Sequence, residues 1–137
     1  RLNLELAQLS EQTMKSFKEH YPATYVIGNP CDVTGSASAD DYRFAIQSFL
    51  DDPNVDIIMP WFVFQDDPLE EKIVDILADF QKQKKKPILV GAMGGPYTEK
   101  ISKKIEEFNI PVYQSVITWI TAAGSLAKWH RVKESLK

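Results

Sequence analysis

Three short stretches of the chain hold residue types that could do chemistry. The first, Asn29-Pro30-Cys31-Asp32-Val33-Thr34-Gly35-Ser36, is dense in small polar groups and lies between a predicted strand and a predicted helix start, a place that suits an anion. Thr34, Gly35 and Ser36 are its candidate phosphate-facing residues. Asn29 and Asp32 are also good loop-locking residues, because their side chains can satisfy nearby backbone groups. The second stretch pairs Asp66 with Asp67, and adjacent carboxylates can bind magnesium or work as acid and base. Helix capping accounts for Asp67, so Asp66 stands alone and no metal site is read here. The third stretch, Gly94-Gly95-Pro96, allows close backbone approach by a ligand or by the adjoining helix. Cys31 has no histidine near it in sequence to act as a base and reads as a small packing residue. His20 and His130 fall in predicted helices and read as surface residues. No side chain is assigned a catalytic role.

These stretches need elements to position them. Leu2, Leu4 and Leu6 alternate with polar neighbours, which predicts an extended entry segment or linker over residues 1–9. Ser10 offers an N-cap for a helix carrying Met14, Phe17 and Tyr21 and ending near His20. Tyr25, Val26 and Ile27 predict a strand. Ser38 with Asp41 predicts a capped helix through Leu50. The apolar run Val55–Phe64, interrupted by Pro60, predicts a strand that carries a bulge or lies at an edge. Asp67, Pro68 and Glu70 spell the start of a third helix, which Lys82, Lys84, Lys85 and Lys86 finish as a solvated end. Pro87–Met93 predicts a buried strand and Ile101, Ile105 and Phe108 a fourth helix. Val112–Tyr113 predicts a short strand, and Ser115 caps a last helix whose inner face holds Trp119, Ile120, Ala123, Leu126 and Ala127. Alternating strands and helices require parallel strands with helical crossovers, hence a three-layer α/β/α sandwich of about four strands. Ligands in such sheets sit at the carboxyl ends of the strands, where all three loops fall.

Composition narrows the function classes. With 137 residues the chain is one domain, and one cysteine with two histidines excludes a disulfide scaffold or a Cys/His zinc module. A net charge of −3 disfavours nucleic acid as a partner. No apolar run reaches the ~18 residues of a membrane span and no signal-peptide pattern is present. The reading is a cytoplasmic domain without a membrane or nucleic-acid partner. A first residue of Arg1 suggests a fragment of a longer multidomain chain, with residues 10–137 as its folded domain.

Several motifs occur in order: Asn29-Pro30-x-Asp32-x-Thr34-Gly35-Ser36-Ala37, Asp41-Tyr42-x-x-Ala45, Asp52-Pro53-Asn54-Val55-Asp56, Lys86-Pro87-Ile88-Leu89, Ala92-Met93-Gly94-Gly95 and Ile110-Pro111-Val112-Tyr113. Over roughly Leu9 to Lys128 they resemble the flavodoxin-like ligase domain of NDP-forming acyl-CoA synthetases, the ADP-forming acetate–CoA ligases, which are relatives of succinyl-CoA synthetase. The resemblance implies part of an enzyme that interconverts acyl-CoA, ADP and phosphate with acid, CoA and ATP through an acyl phosphate and a phosphohistidine. It implies CoA, ADP/ATP and magnesium as cofactors of the full-length enzyme and none for this segment. It also implies partners: the phosphohistidine and CoA-binding domains and an ATP-grasp domain or subunit. Neither histidine stands in the phosphohistidine motif, so this segment is expected to support the site and to be inactive alone. In succinyl-CoA synthetases the helix after the second loop aims its N-terminus at the phosphohistidine, and here that helix is expected to start at Pro68. Phe64, Gln65, Asp66 and Asp67 replace the glycines of that pattern, and Asp67, Glu70 and Glu71 are expected to close the helix end to phosphate. Phosphate is therefore expected at Thr34–Ser36 or Gly94–Gly95. Two alternatives stand beside this reading: a regulatory ligase-like domain of a protein-lysine acetyltransferase, and a stand-alone flavodoxin-like binding module.

Overall fold

Ser10 starts helix α1 (Glu11–His20) as its position predicts, its hydroxyl oxygen accepting the Thr13 N–H at 3.2 Å. Helix α2 (Ala39–Asp51) opens in a full capping box, with Asp41 N donating to Ser38 Oγ at 3.3 Å and Ser38 N to Asp41 Oδ2 at 2.7 Å. The computed structural model describes residues 4–66 and 69–137. After α2, strands and helices alternate: β1 (Trp61–Phe62), α3 (Ile73–Gln83), β2 (Val90–Ala92), α4 (Pro96–Glu106), β3 (Val112–Tyr113) and α5 (Val116–Ser135).

The strands form an open parallel sheet in the order β1-β2-β3, each pair joined through a helix. A bridge between Ile58 and Ile88 continues the β1–β2 pairing toward the amino ends. Pro60 lies between that bridge and β1. It has no N–H to give, but its carbonyl accepts the Gly91 N–H at 2.9 Å, and β1 is an edge strand, where a proline is tolerated.

Side-chain alternation then fixes two layers of helices. Gly91 and its register partners Trp61 and Tyr113 share the face covered by α5, whose Trp119 Nε1 donates to Leu89 O at 2.7 Å. Phe62, Val90 and Ala92 face the other way, into a core closed by Ile46 of α2, Leu77 of α3 and Ile101 and Ile105 of α4. The result is helix, sheet, helix. Among the described residues no helix is long and apolar enough to cross a membrane.

Three expectations are corrected. Tyr25–Ile27 does not join the sheet. Among the described residues Val26 pairs only with Asp32 of its own loop, antiparallel, because Gly28–Pro30 turns the chain back on itself, and the sheet has three strands. The expected helix start at Asp67 and Pro68 lies outside the described residues, and α3 itself begins only at Ile73. Glu70 and Glu71 are drawn to other elements: Glu70 Oε2 accepts the Ala39 N–H at 3.1 Å, and Glu71 pairs with Lys104 at 2.6 Å. The lysine run is not simply a solvated end. Lys85 pairs with Asp51, and Lys86 Nζ donates to the carbonyls of Phe49, at 3.0 Å, and Asp52, covering the C-terminus of α2. Burial lowers the Lys86 pKa.

Asp52 ties the ends of α1 and α2 together. Its buried carboxylate accepts the N–H of Ser10 at 2.8 Å and of Asn54 at 2.9 Å. Burial opposes the charge, but the hydrogen bonds from Thr13, Asn54 and Ser10 outweigh it and hold the carboxyl below the usual range. Asp52→Ala should cost about 2 kcal/mol, since it strands two backbone donors. A lowered pKa stabilises above the unfolded value near pH 4 and loses that stabilisation as pH falls through the folded value. Urea unfolding between pH 6 and pH 3 checks both points: the variant should lose less stability on acidification than the parent. An equal loss would remove Asp52 as the cause.

Candidate functional site

At the carboxyl edge of the sheet the three loops meet. The loop after β1 contributes Gln65 and Asp66, and the Asp66 carboxylate lies over Gly35 of the first loop, 3.5 Å from where a β-carbon would stand. Gln65 reaches the other way, donating through Nε2 to Thr98 Oγ1 of α4 at 3.0 Å. Gly94 makes room for that bond: a β-carbon there would fall 2.2 Å from Gln65 Nε2 and 2.3 Å from Thr98 Oγ1. Gly94 is thus the residue that lets the second and third loops close on each other.

The first loop is locked mostly by its own side chains. Asp32 Oδ1 accepts the Thr34 N–H at 2.8 Å and holds Thr34 in the left-handed region, φ 60°, which a β-branched residue seldom adopts. Thr34 Oγ1 and Ser36 Oγ bond to each other at 2.8 Å. Asn29 Nδ2 donates to Ala7 O at 3.1 Å, fastening the loop to the entry segment, and the Asn29–Pro30 peptide is cis. Beneath the loops Tyr42 is half-buried. Burial first, then the Asp66 and Asp32 carboxylates, push its phenol up to about 12, so it keeps its proton at neutral pH. Cys31 packs against the aromatic cluster under this loop and burial pushes its thiol up.

The helix starts at this edge differ in what fills them. At α2, Glu70 and Ser38 accept the first-turn N–H groups of Ala39 and Asp41, and Asp41 accepts the N–H of the cap residue Ser38. At α4 the N-cap is Gly95, which has no side chain to bond the first turn, and Pro96 follows it. Nothing lies within 4 Å of a β-carbon placed on Gly95. Ser115 at α5 likewise makes no side-chain cap bond. Around these ends the surface is apolar: Val63, Met93, Tyr97, Val116 and Ile117 are all large and exposed, an arrangement that marks an interaction surface.

Of the residues expected from sequence, Gly35 is brought against Asp66 and Gly94 against Gln65 and Thr98, Gly95 stands open at the start of α4, and Thr34 and Ser36 bond each other within the first loop. Asn29, Pro30 and Asp32 shape the first loop from behind. Gln65, Thr98 and Glu70 were not legible as site residues. The Gln65 and Glu70 bonds span 33 and 31 positions, and no local pattern encodes such pairings. His20 is exposed at the end of α1 and stacked on Phe44, while His130 is exposed on α5. Among the described residues no three His, Cys, Asp or Glu side chains converge as metal ligands.

A family model described as the Ligase-CoA domain matches residues 2–137. The chain is 33% identical over 130 residues to the alpha subunit of ADP-forming acetate–CoA ligase II of Pyrococcus furiosus, covering 91% of this chain and 28% of that protein. It is 29% identical to the alpha subunit of ligase I of the same organism, covering 92% and 28%. Among solved structures, PH0766 from Pyrococcus horikoshii OT3 superposes with a TM-score of 0.83 at 28% identity, over 91% of this chain and 30% of that one. A dinucleotide-forming acetyl-coenzyme A synthetase 1 of Ca. Korarchaeum cryptofilum, solved with phosphate and ADP, shares the fold with a TM-score of 0.83 at 24% identity, over 99% and 31%. The chain spans 28% of the length of these Pyrococcus furiosus relatives.

Proposed function

Since the chain belongs to the Ligase-CoA domain family, we propose that it is one domain of an ADP-forming acyl-CoA synthetase. Such an enzyme interconverts acyl-CoA, ADP and phosphate with the acid, CoA and ATP through an acyl phosphate and a phosphorylated histidine. The observation that carries the reading is the open start of α4, uncapped at Gly95 and set in an apolar rim at the carboxyl edge of the sheet. Unpaired first-turn amides and the positive end of the helix dipole favour a phosphoryl group there. At α2 the corresponding amides are taken, and Asp66 adds negative charge over Gly35, so of the two expected phosphate-facing loops Gly94–Gly95 is the better suited. The apolar rim is where the phosphohistidine domain would pack. CoA and the nucleotide would be held by the CoA-binding and ATP-grasp parts of the enzyme. The described residues do not form a magnesium cage, so no step is assigned to magnesium on this domain.

This chain's share of the reaction is to orient and stabilise, with no residue that forms a covalent intermediate. The isolated chain should therefore take no label from radioactive ATP and make no ATP from acetyl-CoA, ADP and phosphate, whereas the full-length enzyme does both. Label on the isolated chain that disappears in His20→Ala or His130→Ala would overturn this assignment.

A further inference from the structure

Helix α4 is fastened at its first turn in a way that α1 and α2 are not. In those helices the third residue is held through its backbone: Thr13 N donates to Ser10 Oγ and Asp41 N to Ser38 Oγ, so the cap consumes an amide of the first turn. The third residue of α4 is Thr98, and it is held through its side chain. Its Oγ1 accepts from Gln65 Nε2 at 3.0 Å, a bond across 33 positions, while no side chain caps the helix at Gly95. An uncapped first turn frays unless something else restrains it. The tether from the loop after β1 restrains this one without spending any of its amides.

Burial separates the holder from the surface a ligand can reach. Thr98 is fully buried, so its side chain touches no ligand, whereas Gly94 to Tyr97 are exposed. Gln65 in turn lies directly on the backbone entering α4, since a β-carbon on Gly94 would fall 2.2 Å from its Nε2. Ser102, one turn further along the helix, is also buried, but among the described residues its hydroxyl has no partner. We propose that Gln65 is a positioning residue: through Thr98 it fixes where the open amide end of α4 points, and so how that end meets the phosphoryl group. This rests on the reading of α4 given above.

The test uses the full-length enzyme. Thr98→Val keeps the shape of the buried side chain and removes the acceptor; it and Gln65→Leu should each lower kcat about tenfold, with KM for acetyl-CoA within about twofold of the parent. The double variant should be no slower than either alone, because both changes break one bond. Thr98→Ser, which keeps the hydroxyl, should retain at least about half of the parent turnover, and Ser102→Ala should retain all of it. The Glu99 N–H, bonded to Gly95 O at 3.2 Å, should exchange with deuterium faster in the two slow variants. Additive losses would make Gln65 a direct contact, and full turnover in Thr98→Val, or a loss in Ser102→Ala as large as in Thr98→Val, would leave the tether without a part; each overturns the proposal. Gly95→Asp separates the tether from the reading on which it rests. A loss of turnover there, with Gln65→Leu and Thr98→Val unaffected, removes the tether alone, and full turnover there removes both.

Discussion

In the full-length enzyme, Gly95→Asp should lower turnover about a hundredfold while making the domain itself slightly more stable, by about 0.3 to 1 kcal/mol. The two effects have opposite signs because they act on the same amides. A β-carbon at Gly95 meets nothing within 4 Å and the backbone there is extended, so the substitution carries no steric cost. The new carboxylate can accept the first-turn N–H groups of α4 that no side chain bonds at present, which stabilises the helix. It also puts a negative charge where a phosphoryl group is proposed to arrive. Two like unit charges about 6 Å apart repel by about 3 kcal/mol at an effective dielectric of 20, which is roughly a hundredfold in rate. Gly95→Asn offers the same cap without the charge and should lose less than tenfold. Thermal melts of the isolated chain and steady-state turnover of the full-length enzyme read the two effects separately. A Gly95→Asp enzyme with full turnover would move the phosphoryl group away from α4.

Gly91→Ala should destabilise the domain by about 3 kcal/mol, the upper part of the range for overpacking a core. Its β-carbon would sit 2.2 Å from Trp61 Cε3 and 3.1 Å from Trp119 Cδ2. Both neighbours are rigid indoles, and the rings already contact each other with centroids 5.1 Å apart. Trp119 cannot withdraw without giving up its bond to Leu89 O. Trp61 is on the edge strand and is the ring with room to shrink, so Trp61→Leu should recover at least half of the loss. Denaturant unfolding of the two single variants and the double variant completes the cycle. Additive losses would show that the indoles are not what excludes a side chain at Gly91.

The parts of this architecture that were legible in the sequence are those written over a few residues. Ser10, and Ser38 with Asp41, announce α1 and α2 because a cap is a contact across three positions. The runs ending at Phe64 and Met93 announce β1 and β2 because a strand buried on both faces is apolar throughout. Tyr25–Ile27 has the same composition and failed, since whether such a triplet joins a sheet or pairs with its own turn is decided by the turn that follows. The start of α3 failed for a related reason: Glu70 and Glu71 look like first-turn carboxylates, yet each finds a better partner on another helix. At the candidate site the glycines were legible and their neighbours were not. A glycine marks a close approach without saying what approaches, and at Gly94 it is Gln65, which nothing in its own stretch distinguishes from a surface residue.

The division of the core into two clusters has a bearing on motion. Phe17, Tyr21, Val33, Ala37 and Ala45 form a small cluster under the first loop, apart from the large one that backs the sheet. Helix α2 serves both, giving Ala45 to the first and Ile46 and Leu50 to the second. Although Leu9, Tyr42 and Phe49 pack against both clusters, helix α1 and the loop Asn29–Ser36 should open as one cooperative unit before the strands part, a step that exposes the small cluster and breaks the Asp52 bonds and the Tyr21 bond to Asp41 O. The Thr34–Ser36 side of the carboxyl edge is thus built on an element expected to open below the threshold of global unfolding, and the Gly94–Gly95 side on one that backs onto the large cluster through Ile101 and Ile105.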